Sequence, residues 1–460
     1  MTLTLKEIRE ACGGMLLRGD GGAAVDGAET DTRRDVKGRL FVAVKGAKRD
    51  GHDYVRDALE KGAVCSLVER DTDRGGPVVK VPSTRAALLA LASYSRERFK
   101  GHVAAVTGSA GKTTTKDMLA SVLAQRYRTH KTPGNYNNEL GLPLSMLNRG
   151  DDTEALVLEM GMNHAGEISV LSNTARPHIC IITNIGDAHL EHLGNREGVL
   201  KAKTEIMDGL TEGGALVINK DDPLLASIVP AEGMRIFRCS ASDPKADAYV
   251  SDVEKLGAAG TRCVINIKTD GGTLAVAAHI RQAGAFMVMN ACMAAAAGAL
   301  LGLSAEEIGE GLRTYEPSGN RMDIREAKGM TIINDTYNAN PDAVRAAVDA
   351  LVTSAGGRTV CILGDMLELG SQSEALHRKT GTYIAKRGVD MLIAIGDHSW
   401  HTYDAYAEYA RRSQIAVYFA DKDEFIIEIG KHLLPGDTVL IKASRGMAFE
   451  TLVDVLTPRG

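Results

Sequence analysis

A lysine and two threonines close a short glycine-containing loop, Thr107-Gly-Ser-Ala-Gly-Lys-Thr-Thr114. An apolar run, 103–106, precedes it and a helical segment follows, which is the setting of a phosphate-binding loop (P-loop). Backbone N–H groups and a helix N-terminus can surround phosphate oxygens there, Lys112 can reach the terminal phosphates, and Thr113 can ligate Mg²⁺. The loop therefore predicts nucleotide binding by Gly108, Ser109, Ala110, Gly111, Lys112, Thr113 and Thr114.

One detail of this loop differs from the general pattern. GxxxxGK[ST] would place its first glycine at Val106, whereas the early glycine here is Gly108. A GKT tripeptide also occurs by chance in surface loops of long chains. The preceding strand and the following helix favour the nucleotide interpretation.

Two further strand ends carry side chains that can bind a metal ion. Glu159 follows the predicted strand 155–158, and His189 lies in the segment 183–194, which follows an apolar strand. Ligands of open α/β sheets bind at the carboxyl ends of the strands, so we expect both side chains beside the P-loop. The alternatives are a solvated turn carboxylate and a structural histidine. No cysteine accompanies the histidines, which favours Mg²⁺ over zinc.

Two features stay open on the residues alone. Lys201 and Lys203 lie in a predicted helical segment, 198–206, where a solvated face is at least as compatible as a functional amine. Asn290 interrupts the apolar run 286–301, either as a buried amide with local hydrogen bonds or as a group that reads an adenine edge.

The elements that must position these groups form three predicted domains, because 460 residues exceed what one hydrophobic core supports. Residues 1–100 mix short strands and helices, which predicts a small α/β domain. Residues 101–314 alternate apolar strands with helices, which predicts a central P-loop domain with a parallel sheet. Within it, 247–278 alternates like an appended antiparallel sheet. Residues 315–460 again alternate apolar strands with helices, which predicts a Rossmann-like, doubly wound domain.

Composition narrows the classes of partner and compartment. The chain has 54 Lys and Arg against 59 Asp and Glu, so it lacks the global positive field that favours nucleic acid. The seven cysteines form no CxxC pair, which argues against a disulfide framework and favours a reducing cytoplasm. The N-terminus shows no apolar signal segment, and the run 286–301 is too weakly hydrophobic to span a bilayer. We expect a cytoplasmic protein without membrane insertion.

Several blocks together resemble the Mur ligase family, in which TGxxGKT, a strand-end Glu, a TNxxxxH segment and a later Lys follow in this order. The resemblance spans nearly the whole chain, and its later blocks are similar to the MurF type of the family. They are NDTYNANP at 334–341, LGDMLELG at 363–370 with His377, KASR at 442–445, YNNELGLP at 136–143 and TDTR at 30–33.

The resemblance implies an ATP-dependent ligase of peptidoglycan precursor synthesis. In this reaction the terminal carboxylate of a UDP-N-acetylmuramoyl-tripeptide is phosphorylated and then attacked by the amine of D-Ala-D-Ala. Such a carboxylate becomes electrophilic only when its oxygen becomes a good leaving group, and the phosphoryl transfer needs its charge neutralised. The resemblance also implies a C-terminal domain that closes over the site, and we expect a monomer.

The family pattern also implies a role for each matching residue. Lys112, Lys203 and His189 would be catalytic, with Lys203 carbamylated. Thr113, Glu159 and His189 would hold Mg²⁺. Asn290 and Asp335 would contact adenosine, and Arg321 the nucleotide phosphates. On the substrate side, Asn138 would lie near the reacting end of the tripeptide, and the UDP group would be held in the first domain by Asp31, Thr32 and Arg33.

Three positions depart from the family pattern. Phe286 stands where the family often has His, Thr336 replaces a usual Ser, and Ala443 replaces the Gly of KGSR. The alternatives are a sister ligase, which adds the third residue of the peptide or extends a folate with glutamate, and a nucleotide switch that ligates nothing. The DTYNANP block favours the dipeptide ligase.

Overall fold

The fold comes from a computed structural model that describes residues 1–71, 75–187, 189–230, 233–282, 284–317 and 319–457. It consists of three α/β domains that follow one another along the chain, which confirms the predicted fold class. Within the described ranges, no helix combines the length and the apolar character that crossing a membrane would need.

The first domain is built from short strands in the order β2-β7-β6-β5-β4, parallel from β4 to β7 and with an antiparallel edge at β2. Its first helix begins at a capping box, in which Thr4 and Glu7 satisfy each other's backbone N–H groups. The elements are β1 (Thr2–Thr4), α1 (Leu5–Cys12), β2 (Met15–Arg18), β3 (Ala24–Asp26), β4 (Ala28–Glu29), β5 (Leu40–Val42), α2 (Val55–Glu60), β6 (Cys65–Val68), β7 (Val78–Lys80) and α3 (Thr84–Arg98).

The strands of the second domain follow the order β16-β15-β14-β13-β12-β11-β8-β10-β9. The elements are β8 (His102–Thr107), α4 (Lys112–Leu123), β9 (Thr129–Lys131), α5 (Gly141–Leu147), β10 (Ala155–Glu159), α6 (Glu167–Ala175), β11 (Ile179–Ile182), α7 (Leu190–Leu193), α8 (Arg196–Thr204), β12 (Ala215–Asn219), α9 (Pro223–Ala226), β13 (Arg235–Ser240), β14 (Ala248–Lys255), β15 (Thr261–Thr269), β16 (Gly272–Ile280), α10 (Ala285–Leu300) and α11 (Ala305–Arg313).

Strand β8 lies inside this sheet, and its residues 103–106 are fully buried, as expected for a strand covered on both faces. The strands β14 to β16 are antiparallel, as predicted for 247–278. They do not form a separate sheet, because β13 pairs with β14 through Cys239 and Ala248 and joins them to the parallel strands.

The third domain has the strand order β17-β18-β22-β19-β20-β21, parallel throughout except for the edge strand β17. Strand β21 was not predicted, because it is a partly exposed edge without a continuous buried run. The elements are β17 (Asp323–Ala327), β18 (Met330–Asn334), α12 (Pro341–Ser354), β19 (Thr359–Gly364), α13 (Ser373–Arg387), β20 (Met391–Ile395), α14 (Ser399–Tyr409), β21 (Ile415–Phe419), α15 (Lys422–His432), β22 (Thr438–Lys442) and α16 (Glu450–Leu456).

The second and third domains share a continuous apolar core. Buried residues of the second domain, such as Ile185 and Leu190, belong to the same cluster as Met322 and Leu369 of the third. Burying apolar surface between domains stabilises their relative placement. The elements at the junction of the two domains are therefore held together.

Two helical glycines of the third domain offer a matched test of this packing. A Cβ at Gly381 would lie 2.1 Å from the Thr402 carbonyl oxygen, whereas a Cβ at Gly430 meets nothing within 4 Å. We expect Gly381→Ala to destabilise the domain by about 1–3 kcal/mol through overpacking. Gly430→Ala should stabilise it by about 0.5–1 kcal/mol through helix propensity.

The measurement is urea unfolding followed by the fluorescence of Trp400, the chain's single tryptophan, which lies on α14. Equal midpoints for the two variants would contradict the close approach of α13 and α14.

Candidate functional site

The P-loop leaves β8 at Thr107 and enters α4 at Lys112, as the sequence predicts. Gly108 has φ +148° and Gly111 has φ +79°, both conformations that favour glycine. A Cβ at Gly108 would lie 1.8 Å from Thr183 Oγ1. Close approach to the neighbouring strand end thus requires glycine at 108, the position that differs from the general motif.

Contacts within the protein hold this loop in shape. Lys112 Nζ donates to the Gly108 carbonyl at 2.8 Å. The N–H groups of Ser109 and Ala110 donate to Asn184 Oδ1 at 3.1 and 2.8 Å. The Thr114 side chain lies beside the buried Tyr315. Asn184 was not selected from the sequence, although its place at the carboxyl end of β11 is the signal that could have found it.

A buried carboxylate faces the start of α4. Glu159 is 2% exposed, and its Oε2 accepts a 2.6 Å hydrogen bond from Thr113 Oγ1. Its Oε1 accepts from Asn137 Nδ2 at 2.8 Å, and Lys116 Nζ lies 3.8 Å from Oε2. Nearby positive charge and hydrogen bonds compensate the burial of an anion. A hydroxyl and a carboxylate side by side are the hard oxygen ligands that suit Mg²⁺.

The asparagine that reaches this carboxylate is Asn137, which the sequence analysis did not select. The selected neighbour, Asn138, is exposed, and its Oδ1 accepts from the N–H groups of Leu140 and Gly141 at the start of α5. Adjacent residues point in different directions in this turn. The local sequence contains no signal that separates the two amides.

His189 lies at the start of α7 with a left-handed backbone, φ +60°. Burial, together with the charges of Lys112 and Lys203, lowers the pKa of His189 to about 4. The imidazole is therefore neutral at pH 7, the state in which its nitrogen can act as a ligand. Its Nδ1 lies 3.5 Å from Glu368 Oε2 of the third domain.

Among the residues that the structure describes, His, Cys, Asp and Glu side chains nowhere converge in threes as a metal-binding group. Protein ligands at this site would therefore be few, and oxygens of the bound nucleotide would have to complete the coordination of Mg²⁺. The acid–hydroxyl pair of Glu159 and Thr113 fits such an arrangement.

The two lysines of α8 have opposite surroundings. Lys203 is 1% exposed, whereas Lys201 is exposed to solvent. Burial, and secondarily the charge of Lys112, lowers the pKa of Lys203 well below its ordinary value. The structure thus distinguishes two lysines whose roles the sequence left open. Lys203 is the one with a buried amine and a lowered pKa.

Asn290 of α10 packs against the P-loop. It is 5% exposed, and its Oδ1 would lie 2.9 Å from a Cβ placed on Gly111. Its Nδ2 has no hydrogen-bond partner among the described residues. An unsatisfied buried donor costs free energy unless a ligand supplies an acceptor. This amide therefore fits a bound nucleotide.

The third domain contributes cations to the same region. The Arg321 guanidinium carbon lies 3.5 Å from the centre of the Tyr337 ring, and its charge helps to lower the pKa of the mostly buried Lys112, after burial itself. Asp335 is engaged within its own domain, where it accepts from Lys442 Nζ at 2.5 Å and from the Met322 N–H at 3.2 Å.

The third domain also touches the nucleotide loop directly. Asn340 Nδ2 donates to the Ser109 carbonyl at 3.4 Å, and Asp342 Oδ2 accepts from the Asp187 N–H at 3.1 Å. Asn340 is fixed because its Oδ1 caps α12. The position of the P-loop and that of the third domain are thereby coupled.

The selected residues of the first domain lie apart from this cluster. Arg33 Nη2 and Asp31 Oδ2 are 2.6 Å apart, and hydrogen bonds from Arg33 lower the pKa of Asp31 to about 2. Thr32 is buried and accepts from Lys61 Nζ through its carbonyl. The neighbouring Arg34 stacks on Tyr136 of the second domain at 5.0 Å. This contact links the first domain to the turn that carries Asn137.

The lowered pKa of His189 predicts a pH dependence of stability in the metal-free protein. Because the folded pKa of about 4 lies below the ordinary value of about 6.5, the unfolded chain binds the proton first as the pH falls. The free energy of unfolding then decreases from about pH 6.5 to about pH 4. We expect His189→Asn to lose less over this window, by up to about 3 kcal/mol.

Asparagine is the chosen replacement because it tolerates a left-handed backbone. The measurement is urea unfolding at a series of pH values between 7 and 4.5. Both proteins retain the acid sensitivity of other buried histidines, namely His130, His178 and His377. Parallel curves for wild type and variant would show that His189 titrates normally.

Comparison with known proteins identifies matching domains and relatives. The Mur ligase middle domain matches residues 106–298, the Mur ligase glutamate ligase domain matches 320–445, and the Mur ligase family catalytic domain matches 22–96. A UDP-N-acetylmuramoyl-tripeptide--D-alanyl-D-alanine ligase of Bacillus subtilis is 36% identical, over 93% of this chain and 92% of its own. The Escherichia coli ligase of the same name is 33% identical, over 100% and 99%.

Solved structures agree with these relatives. A crystal structure of MurF from Acinetobacter baumannii superposes with a TM-score of 0.88 at 31% identity and covers 100% of this chain and 99% of its own. A MurF ligase of Thermotoga maritima in complex with ADP has a TM-score of 0.79 at 29% identity, over 94% and 97%. With its fold, its P-loop site and these full-length relatives, the chain belongs to the Mur ligase family and is of the MurF type.

Proposed function

We propose that this protein is an ATP-dependent, ADP-forming ligase that joins D-Ala-D-Ala to the terminal carboxylate of UDP-N-acetylmuramoyl-tripeptide, in the synthesis of peptidoglycan precursors. The observation that carries the proposal is the P-loop, with Thr113 bonded to Glu159 and the unsatisfied amide of Asn290 beside it, in a chain of the MurF type. Relatives that match almost the whole chain carry this activity in their names.

The reaction divides into two displacements. A carboxylate oxygen of the tripeptide attacks the γ-phosphorus of ATP, and ADP leaves. The dipeptide amino group, after it gives up one proton of its ammonium form to water, attacks the carbonyl carbon of the acyl phosphate. Inorganic phosphate leaves, and the nitrogen loses a second proton to water. The first step concentrates negative charge on the transferred group, so its rate depends on cations fixed in advance.

The proposed cations come from two domains. Lys112 Nζ, which donates a hydrogen bond to a carbonyl of the P-loop, would turn to the phosphates. Arg321 would approach the phosphates from the third domain. Thr113, Glu159 and His189 would hold Mg²⁺. The ion would neutralise phosphate charge, while Asn290 and Asp335 would contact adenosine.

Lys203 is proposed to act as a carbamate. Lowering the pKa of a buried amine increases its unprotonated fraction, and the unprotonated amine is the form that adds carbon dioxide. The product is an anion in place of a cation. Such an anion would balance the positive charge of Lys112 and of the metal.

The domains are proposed to divide the substrates. Residues 1–100 would hold the UDP group through Asp31, Thr32 and Arg33, residues 101–314 would bind ATP, and residues 315–460 would close over the site. Asn138 would lie near the reacting end of the tripeptide. The contacts of Asn340 and Asp342 with the P-loop region support such a closure, which would exclude water from the acyl phosphate.

We further propose that the protein acts in the cytoplasm as a monomer. All seven cysteines are free thiols, and six of them are buried. Thiols persist in a reducing compartment, which supports the cytoplasm.

The direct test is an assay of ADP and phosphate release with UDP-N-acetylmuramoyl-tripeptide and different acceptors. We expect turnover with D-Ala-D-Ala and none with single amino acids. Lys112→Ala should lower turnover about 100-fold or more, because the developing phosphoryl charge loses its fixed cation. Release only with a single amino acid would identify a sister ligase, and release independent of the UDP substrate would identify a nucleotide switch.

A second test compares the two lysines of α8. We expect Lys203→Ala to lower turnover about 100-fold or more, whereas the exposed Lys201→Ala should stay within about twofold. In wild type supplied with ¹³C-bicarbonate, a carbamate resonance should appear that Lys203→Ala lacks. Full activity of Lys203→Ala, with no labelled carbamate in wild type, would remove the carbamate from the mechanism.

A further inference from the structure

The carboxylate of Glu368 projects into the cleft between the second and third domains. Its side chain is 66% exposed, and its Oε2 lies 3.5 Å from His189 Nδ1. That separation is longer than a normal hydrogen bond. Within the part of the chain that the structure describes, no donor makes a hydrogen bond to this carboxylate. Its oxygens are therefore available to a ligand that enters the cleft beside His189.

Both residues that face each other here have a strained backbone. Glu368 has φ +63° and His189 has φ +60°, although neither is glycine. Left-handed backbone at such residues costs conformational energy and persists where the surrounding structure enforces it, often at functional sites. Two such residues on opposite walls indicate that the cleft is built to hold these side chains in place.

The segment that carries Glu368 is fixed on either side of it. The Met366 N–H donates to His377 Nε2 at 3.1 Å, and the Leu367 N–H donates to Ser444 Oγ at 2.9 Å. Leu369 is buried in the core shared by the two domains. These contacts give Met366 and Leu367 of the LGDMLELG block, and Ser444 of the KASR block, a role in holding the turn. Glu368 is the exposed acid at its apex.

The wall opposite Glu368 is rich in positive charge. The charge of Lys112 acts on His189, and the charge of Arg321 acts in the same way on Lys112. This arrangement attracts phosphates and carboxylates but repels an approaching ammonium group. The acceptor of the ligation carries its amino group as an ammonium ion at neutral pH. Binding of this ammonium group beside the cationic wall therefore requires a neighbouring anion.

Two other carboxylates near His189 already have partners. Glu159 accepts from Thr113 and Asn137. Glu167 accepts from the Asn163 N–H at 2.7 Å and lies 3.0 Å from His164 Nδ1. The Glu368 carboxylate, by contrast, accepts no hydrogen bond from the described residues and reaches His189 from the third domain.

We propose that Glu368 binds the ammonium group of the acceptor dipeptide and places its nitrogen beside the reacting carboxylate of the other substrate. The inference rests on the proposed ligase function and adds to it a specificity-determining residue. Glu368 selects a free, positively charged amino terminus and offsets the cationic wall around His189. Its fixed turn gives the nitrogen a defined position before the acyl phosphate is attacked.

The test compares ligation with trapping by hydroxylamine, a neutral nucleophile that needs no ammonium site. Hydroxylamine converts the acyl phosphate of the UDP-tripeptide into a hydroxamate and releases phosphate. In Glu368→Gln, we expect the KM for D-Ala-D-Ala to rise about 10- to 100-fold, as for loss of a charged hydrogen-bond partner. The ratio of dipeptide ligation to hydroxamate formation at low dipeptide concentration should fall by a similar factor.

Two variants control this experiment. Glu368→Asp keeps the charge and should recover part of the dipeptide KM. Glu191→Gln removes an exposed acid that packs against Gly370 at the same cleft, and it should match wild type. Trp400 fluorescence shows that each variant is folded.

The outcomes separate the two proposals. A wild-type protein that forms neither product refutes the ligase function and with it the role of Glu368. A wild type that ligates, with an unchanged ratio in Glu368→Gln, refutes the role of Glu368 alone. A variant that changes only the Mg²⁺ concentration needed for both products also overturns the inference, because Glu368 would then act through His189.

Discussion

The parallel pairing of β8 with β10 and β11 is the constraint on which the site depends. Glu159 pairs with Val106, and Ile182 with Thr107, so that three strand ends finish at one level of the sheet. The P-loop, the Glu159 carboxylate and the Thr183-Asn184 turn meet there. A shift of one residue in either pairing would turn the strand-end side chains to the opposite face of the sheet. The backbone hydrogen bonds between these strands thus determine which side chains meet at the site.

Burial gives the side chains at this edge their properties. An ionised group in a protein interior needs partners or loses its charge. Glu159 keeps partners in Thr113, Asn137 and Lys116, whereas Lys203 and His189 have strongly lowered pKa values. Neighbouring residues therefore differ: Glu159 is a hydrogen-bonded carboxylate, Lys203 is an amine with a lowered pKa, and His189 is a neutral imidazole at pH 7. A ligase that handles phosphate, metal and an amine uses this range of states.

The site is completed only where domains meet. The first domain reaches the Asn137 turn through Arg34 and Tyr136, and the third reaches the P-loop through Asn340 and the His189 wall through Glu368. A shared apolar core supports the second of these junctions. In the proposed reaction, substrates bound to different domains would meet at this point, and water would be excluded from the reactive intermediate.

The sequence by itself determined the P-loop, Glu159, the three α/β domains and the family, because each is written in contiguous residues: a strand, a loop with required glycines, a helix start. The tertiary structure alone decided that Asn137 rather than Asn138 reaches Glu159, that Lys203 rather than Lys201 is buried, and that β14 to β16 continue the parallel sheet. It also engaged Asp335 with Lys442. These outcomes depend on burial and on partners distant in sequence, which neighbouring residues of the same chemical type do not reveal.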